Sequence, residues 1–247
     1  MKHKVSNIFI GVDVGGTFTD FSIALPAEGE KILHKVASTP DRPERAIIDG
    51  ITEILKKYDL SAGDVKLVAH GTTVGTNALI QRKCGTVAIV TSEGFRDLLE
   101  LGRQTRPKVY DIHLDHSAPL VKRKDRHEVQ QRRRADGTIL KPIIQDEITT
   151  LGHRLTEDKI DCVVVCFLHS YAFPEDENSV ADLLRVVLPE HVSVITSSSV
   201  YPQFREYERF STAVINGALL TLMGAYLDRL SSEISEIGIQ TDIKISQ

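Results

Sequence analysis

GVDVGGTFTD, Gly11 to Asp20, places two carboxylates, two adjacent glycines and two threonines where an apolar strand runs out. Ile8, Ile10, Val12 and Val14 alternate up to it, and Thr19, Phe21, Ile23 and Leu25 alternate out of it. Period-two alternation on both sides of a glycine turn predicts a β-hairpin. The turn is no P-loop, because Gly-Lys-Ser/Thr is missing, and its glycines do not have the G-x-G-x-x-G spacing that opens a helix. With Gly15 and Gly16 at the tip, the backbone can approach an anion with no Cβ in the way. Consecutive N–H groups there can hold phosphate oxygens, and the hydroxyls of Thr17 and Thr19 add donors. Asp13, at the end of the first strand, cannot hold phosphate itself, but it can hold a hydrated Mg²⁺ or orient a nucleophile beside phosphate. The plainer alternative is a glycine hairpin bearing a surface aspartate.

The rest of the chain narrows the partner. Its 247 residues are 41% apolar and 26% charged, an ordinary globular composition large enough for a sizeable core. A formal charge of -4 gives no overall pull toward nucleic acid or anionic lipid, so a small-molecule partner fits better. The uninterrupted apolar run from Cys162 to Leu168 is too short to span a bilayer, and Asp13 breaks the N-terminal apolar stretch too early for a signal sequence. A cytoplasmic protein, with no membrane or nucleic-acid partner, is the expectation. Cys162 and Cys166, four apart in a buried-strand pattern, read as core packing rather than as a redox or metal pair.

Downstream, Lys31 to Ser38 reads as a third strand, and Pro43 opens a helix with Ala46, Ile47, Ile51, Ile54 and Leu55 on one stripe. Strand and helix patterns then alternate to about residue 200, with Asp136-Gly137 as a hairpin turn. A long helix from about Glu206 to Ile237 and a short closing strand follow. The layout predicts an α/β fold with an N-terminal hairpin and a mixed five-stranded sheet, the hairpin at its centre and helices on both faces.

Three further stretches carry polar groups. HGTTVGTNAL, His70 to Leu79, follows a strand and opens a helix, so His70, Thr72, Thr73 and Asn77 are candidate substrate-binding residues. The alternative is a capped helix with His70 packed at a strand end. FRDLLELGRQTRPKVYD brings Arg96, Arg103 and Arg106 near Asp97 and Glu100; Arg103 and Gln104 are site candidates, whereas Arg96 and Asp97 read as solvated charges. The basic block from Lys122 to Arg134 lacks interleaved aromatics, so it reads as a solvated hairpin or a face for a partner subunit.

DVGGTFTD resembles the first phosphate loop of the actin-like, ribonuclease H-like superfold. More narrowly, IGVDVGGTFTD, then HGTTVGTNALIQRKCGTVAIVTSEGFRDLLELGRQTRPKVYD, then EYERFSTAVING resemble in order the N-terminal region of the hydantoinase/oxoprolinase family. The chain departs from that pattern at Phe210 to Ala213 and at Asn216-Gly217, where a Thr-Thr-rich stretch and Asn-Ala are expected. The resemblance implies an actin-like lobe over residues 1–205, then a connecting helix and the first strand of a second lobe over 206–247, so that the chain is a fragment inactive alone. It implies ATP and Mg²⁺ as cofactors, with Asp13 as catalytic and metal residue and Gly15, Gly16, Thr17 and Thr19 on the nucleotide. The implied activity is ATP-dependent hydrolysis of a cyclic amide such as 5-oxoproline or a hydantoin, by phosphorylating the amide oxygen before ring opening. A ketone carboxylase subunit of the same family is an alternative, as is an ATP-switch protein or small-molecule kinase of the superfold. A second subunit of the hydantoinase B type and an oligomeric assembly are implied partners.

Overall fold

A computed structural model describes residues 7–39, 41–105, 110 and 118–246. In chain order the strands and helices are β1 (Ile8–Val14), β2 (Phe18–Leu25), β3 (Glu30–Ala37), α1 (Pro43–Lys57), β4 (Val65–Thr72), α2 (Val74–Ile80), β5 (Val87–Ser92) and α3 (Leu98–Leu101). They continue with β6 (Arg126–Val129), β7 (Arg132–Arg133), β8 (Ile139–Lys141), α4 (Gln145–Glu157), β9 (Cys162–Cys166), α5 (Glu175–Val187), β10 (Ser193–Thr196), α6 (Ser197–Val200), α7 (Glu206–Glu236) and β11 (Ile243–Ser246). They form two compact units, one of residues 1–81 and 223–247, the other of residues 82–222. The position 205/206 marks the start of α7 and lies inside the second unit.

The first unit holds a mixed sheet of five strands in the order β11-β4-β1-β2-β3. β1 and β2 pair antiparallel around the glycine turn, β4 runs parallel to β1, and β11 parallel to β4. The hairpin is therefore central, as its alternation predicts. Ile8, Ile10, Val12 and Val14 point to one face, where they meet Phe21, Ile23 and Val68 from neighbouring strands. α1 starts at Pro43, whose missing N–H costs nothing at a first helical turn, and lays Ile47, Ile51 and Ile54 on that face. The end of α7 adds Tyr226, Leu230 and Ile234 at four-residue spacing to the same core. Both helices thus pack on one face of the five-stranded sheet, which corrects the expectation of helices on both. The opposite face carries Asp13, Asp20, Leu33 and Lys35, all exposed.

The second unit is a parallel sheet in the order β10-β9-β5-β6, and here both faces are covered. α4 and α5 bury Leu151, Leu155, Val180 and Leu184 against Ala88, Val90, Val163 and Val165. The start of α7 buries Phe210, Ala213, Val214 and Ala218 against Val87, Ile89, Cys162, Val164 and Cys166. Two covered faces explain why CVVVC has no polar side, and both its cysteines are buried free thiols, as core packing requires. Burial drives their pKa upward, that of Cys162 to about 12, which suits thiols that act as packing groups.

Gly217 explains one departure from the family pattern. A Cβ there would lie 2.9 Å from Val164 Cγ2 and 3.0 Å from Cys162 Sγ, so only glycine lets α7 sit this close to β9. At 31 residues α7 is long and apolar enough to cross a membrane by length and composition. Polar residues scattered through it hide it from a count of uninterrupted apolar runs. Its buried apolar side chains serve the two cores just described.

Candidate functional site

The register of the five-stranded sheet sets out the exposed face row by row. Ser246 stands beside Gly71, Gly71 beside Asp13, Asp13 beside Asp20, and Asp20 beside Lys35. One row toward the strands' other ends, Lys244, Ala69, Gly11, Ser22 and Leu33 line up likewise. The small residues Gly11, Ala69 and Gly71 leave room, and a cleft of about 740 Å³ opens over Asp13, Asp20, Ser22, Lys35 and Gly71. That volume lies in the range of small-molecule sites. Lys35 Nζ sits 2.8 Å from Asp20 Oδ1, so Asp20 already has a cation, whereas Asp13 forms no ion pair among the described residues. Among the described residues no three His, Cys, Asp or Glu side chains gather around a common metal position. A metal here fits only as Mg²⁺ often binds, through one carboxylate plus waters and a ligand's phosphates.

Two residues beyond Asp13 comes the turn. Gly15 N–H donates to Phe18 O (3.1 Å), which closes it. A Cβ on Gly16 would meet nothing within 4 Å, and Gly16 and Thr17 are exposed. With no Cβ on Gly16 and both residues exposed, an anion can approach the backbone of the turn, so the residues present fit a phosphate. Thr19 differs from its neighbours, since its side chain is fully buried with the core row and its hydroxyl lies 3.0 Å from Ser38 Oγ.

The second motif is placed close to the first and turned another way. β4 brings Gly71 beside Asp13 and Thr72 beside Val14, while Thr73 N–H and Oγ1 both donate to Val14 O at 3.5 and 3.3 Å. Thr72 Oγ1 accepts from Val74 N, and Asn77 Nδ2 donates to Thr73 Oγ1, so these side chains organise the start of the seven-residue α2. His70 is fully buried on the core face, the opposite face from Asp13, with Nε2 2.6 Å from Tyr226 Oη. Burial lowers its pKa, opposed by the Val12 backbone and the Asp13 charge.

Arg103 belongs to the second unit, where its Nε donates to Glu208 Oε1 at 2.7 Å. Arg106 lies outside the described residues. Three arginines of the basic block are paired with carboxylates. Arg123 forks onto Asp97, the buried Arg126 reaches Glu100, and Arg133 forks onto Asp176.

Sequence reasoning misses a buried network in the second unit. Glu177 accepts from Phe167 N, Ser197 Oγ, Ser198 N and Ser198 Oγ, all within 2.8 Å. Ser197 Oγ accepts in turn from Arg209 Nε, and Arg209 also donates to Phe167 O and Gln203 O. Both ions are fully buried and bonded on every side, which makes the cluster a support rather than a site. It also misses Ser38 and Tyr226, whose partners are distant in sequence.

The profile described as "Hydantoinase/oxoprolinase N-terminal region" matches residues 9–188. Caprolactamase subunit alpha of Pseudomonas jessenii is 32% identical over 96% of the chain and 35% of its own length. A solved structure of the ATP-dependent caprolactamase from that organism superposes with a TM-score of 0.87, at 32% identity over 96% of this chain and 35% of the other. 5-Oxoprolinase 1 of Arabidopsis thaliana is 27% identical over 91% of the chain and 20% of its own, and the acetophenone carboxylase gamma subunit of Aromatoleum aromaticum 29% over 91% and 33%. The chain therefore spans about a third or less of these relatives. The expected α/β actin-like fold, with its mixed sheet and N-terminal hairpin, is the fold observed.

Proposed function

The chain belongs to the hydantoinase/oxoprolinase family, and from that premise we propose that it forms the phosphate-binding part of an ATP-dependent enzyme that opens cyclic amides. The observation that supports the reading is the position of Asp13 on the exposed sheet face, two residues before an exposed glycine turn. The ATP-dependent caprolactamase and the oxoprolinase among its relatives support a lactam or similar ring as substrate.

A lactam resists water because resonance makes its carbonyl a poor electrophile and its nitrogen a poor leaving group. ATP supplies a phosphoryl group that turns the amide oxygen into a leaving group. This chain's part is to hold and orient. The Gly16 N–H and the Thr17 hydroxyl would bind phosphate oxygens, and Asp13 would hold one Mg²⁺ or orient an attacking oxygen beside them. The Thr73–Val14 contacts fix the end of β4 against the strand bearing Asp13, which holds that geometry rigid. Thr72, Thr73 and Asn77 shape the neighbouring wall, and His70 braces it from behind. Arg103 enters this reading only as a residue of the other unit. A second subunit fits relatives that are themselves subunits, caprolactamase subunit alpha and the acetophenone carboxylase gamma subunit.

A carboxylase relative favours one rival, in which the same activation serves ketone carboxylation. The test is ADP release by the intact protein, with any copurifying subunit, offered 5-oxoproline, a hydantoin or caprolactam, and separately a ketone with bicarbonate. Lactam-dependent ADP release supports the proposal. Release that needs ketone and bicarbonate transfers it to the carboxylase reading, and a protein that binds no nucleotide overturns both.

A further inference from the structure

We infer that Ser38 is a positioning residue of the glycine turn, aiming the Gly16 N–H outward by holding the carbonyl on the other side of the same peptide. The inference rests on the phosphate-binding reading above. Ser38 follows β3 directly and reaches across 23 residues of sequence, where its Oγ donates to Gly15 O at 2.8 Å. Its own N–H donates to Thr17 O at 2.9 Å, which pins Ser38 against the turn.

Proton counting gives the network a direction. A serine hydroxyl has one hydrogen, and a carbonyl oxygen can only accept, so the Ser38 hydrogen is committed to Gly15. In the 3.0 Å contact between Thr19 Oγ1 and Ser38 Oγ, Thr19 must then be the donor. The order is Thr19 to Ser38 to Gly15, each bond polarising the next. Thr19 is fully buried, so it acts through this relay and not on a ligand.

The geometry of the peptide group does the rest. In a planar trans peptide the C=O and the following N–H point in opposite directions. Drawing the Gly15 oxygen toward Ser38 turns the Gly16 N–H away from Ser38, and Gly16 itself is exposed. The Gly15 N–H is already spent on Phe18 O, which leaves Gly16 as the glycine donor of the turn. Without the Ser38 hydroxyl, the Gly15–Gly16 peptide can rotate, because glycines tolerate either orientation.

The test uses the intact protein, its Ser38→Ala, Ser38→Thr and Thr19→Val variants, and titration with MgATP and with adenosine, alongside KM for ATP, kcat and thermal midpoint. Adenosine is the control because it has no phosphate. Ser38→Ala should weaken ATP binding and raise KM roughly tenfold, about one hydrogen bond's worth, with kcat moving less and adenosine affinity unchanged. Ser38→Thr, which restores a hydroxyl, should return ATP affinity to within about threefold of the parent. Thr19→Val should weaken ATP in the same direction, and it decides the matter if Ser38→Ala does not fold. Parental ATP affinity in the alanine variant, or equal losses for ATP and adenosine, would overturn the inference and leave the functional reading standing. If the parent itself binds no ATP, the functional reading fails and takes the inference with it.

Discussion

Tyr226 Oη and His70 Nε2, 156 residues apart in the chain, lie 2.6 Å from each other in the core beneath the exposed sheet face. The bond ties the end of β4, one residue before Gly71, to the helix α7. Tyr226→Phe keeps the packing and strands the imidazole nitrogen in an apolar core. Leaving a buried polar group unpaired costs about 1–3 kcal/mol, so the denaturant midpoint should fall accordingly with an unchanged slope. An unaltered midpoint would mean that the pair contributes nothing net.

Burial holds the folded-state pKa of His70 below its ordinary value, and His127 is shifted the same way, first by burial and then by Arg154. Such a group binds its proton more readily when the chain unfolds. Its contribution is therefore fully present above the unfolded pKa, about 6.5, and is lost as pH falls through that value toward the folded one. The thermal midpoint should drop as pH falls below about 6.5. His70→Gln should flatten part of that slope and leave the share due to His127.

Asp13→Asn preserves shape and most hydrogen bonding while removing the charge. In the intact protein, turnover should fall by roughly a hundredfold or more, with little change in thermal midpoint. Single-turnover phosphate release and a melting curve on one preparation separate this from a stability role. A folded variant with near-normal release would take Asp13 out of the mechanism.

Arg209 is a buried cation whose partners are Ser197, Phe167 O, Gln203 O and Glu206. Arg209→Met should destabilise by about 3–5 kcal/mol, because it leaves the buried Glu177 without its bridged counter-charge. Adding Glu177→Gln should recover part of that loss in chemical denaturation.

Two glycines of α7 should respond oppositely to alanine. At Gly217 the added Cβ meets core atoms of Val164 and Cys162, and overpacking of about 1–3 kcal/mol outweighs the gain in helix propensity. At Gly224 it meets nothing within 4 Å, so Gly224→Ala should stabilise by about 0.5–1 kcal/mol. Midpoints for the two single variants check the sign of each.

Local pattern carried most of the fold. The hairpin, the Pro43 helix and the strand at Val65 were each legible because side-chain alternation and capping are properties of short stretches. The same alternation already grouped Thr19 with Phe21 and Ile23 on the buried row, which is where the structure puts it, although its hydroxyl read as a ligand donor. Partners far along the chain left no such trace. Ser38 reads as a loop serine until Gly15 is beside it, and Tyr226 as one aromatic in an apolar helix until His70 is. Arg209 and Glu177 look like solvated helix charges, since nothing in their neighbours announces that they are buried. The exposure of the Asp13 face escaped notice because alternation tells which residues share a side but not what covers it.

The register that sets Asp13 opposite Asp20 and beside Gly71 has an outcome for quality control. Neighbouring positions on a strand face opposite ways, so a slip of one residue in β1 would send Asp13 into the core and bring Val12 out to the cleft. A mispaired chain would bury a charge among isoleucines and fail to hold together, long before it could exist as a folded but inactive enzyme. Errors at this strand would surface as degradation or aggregation, and folding itself proofreads the chemistry.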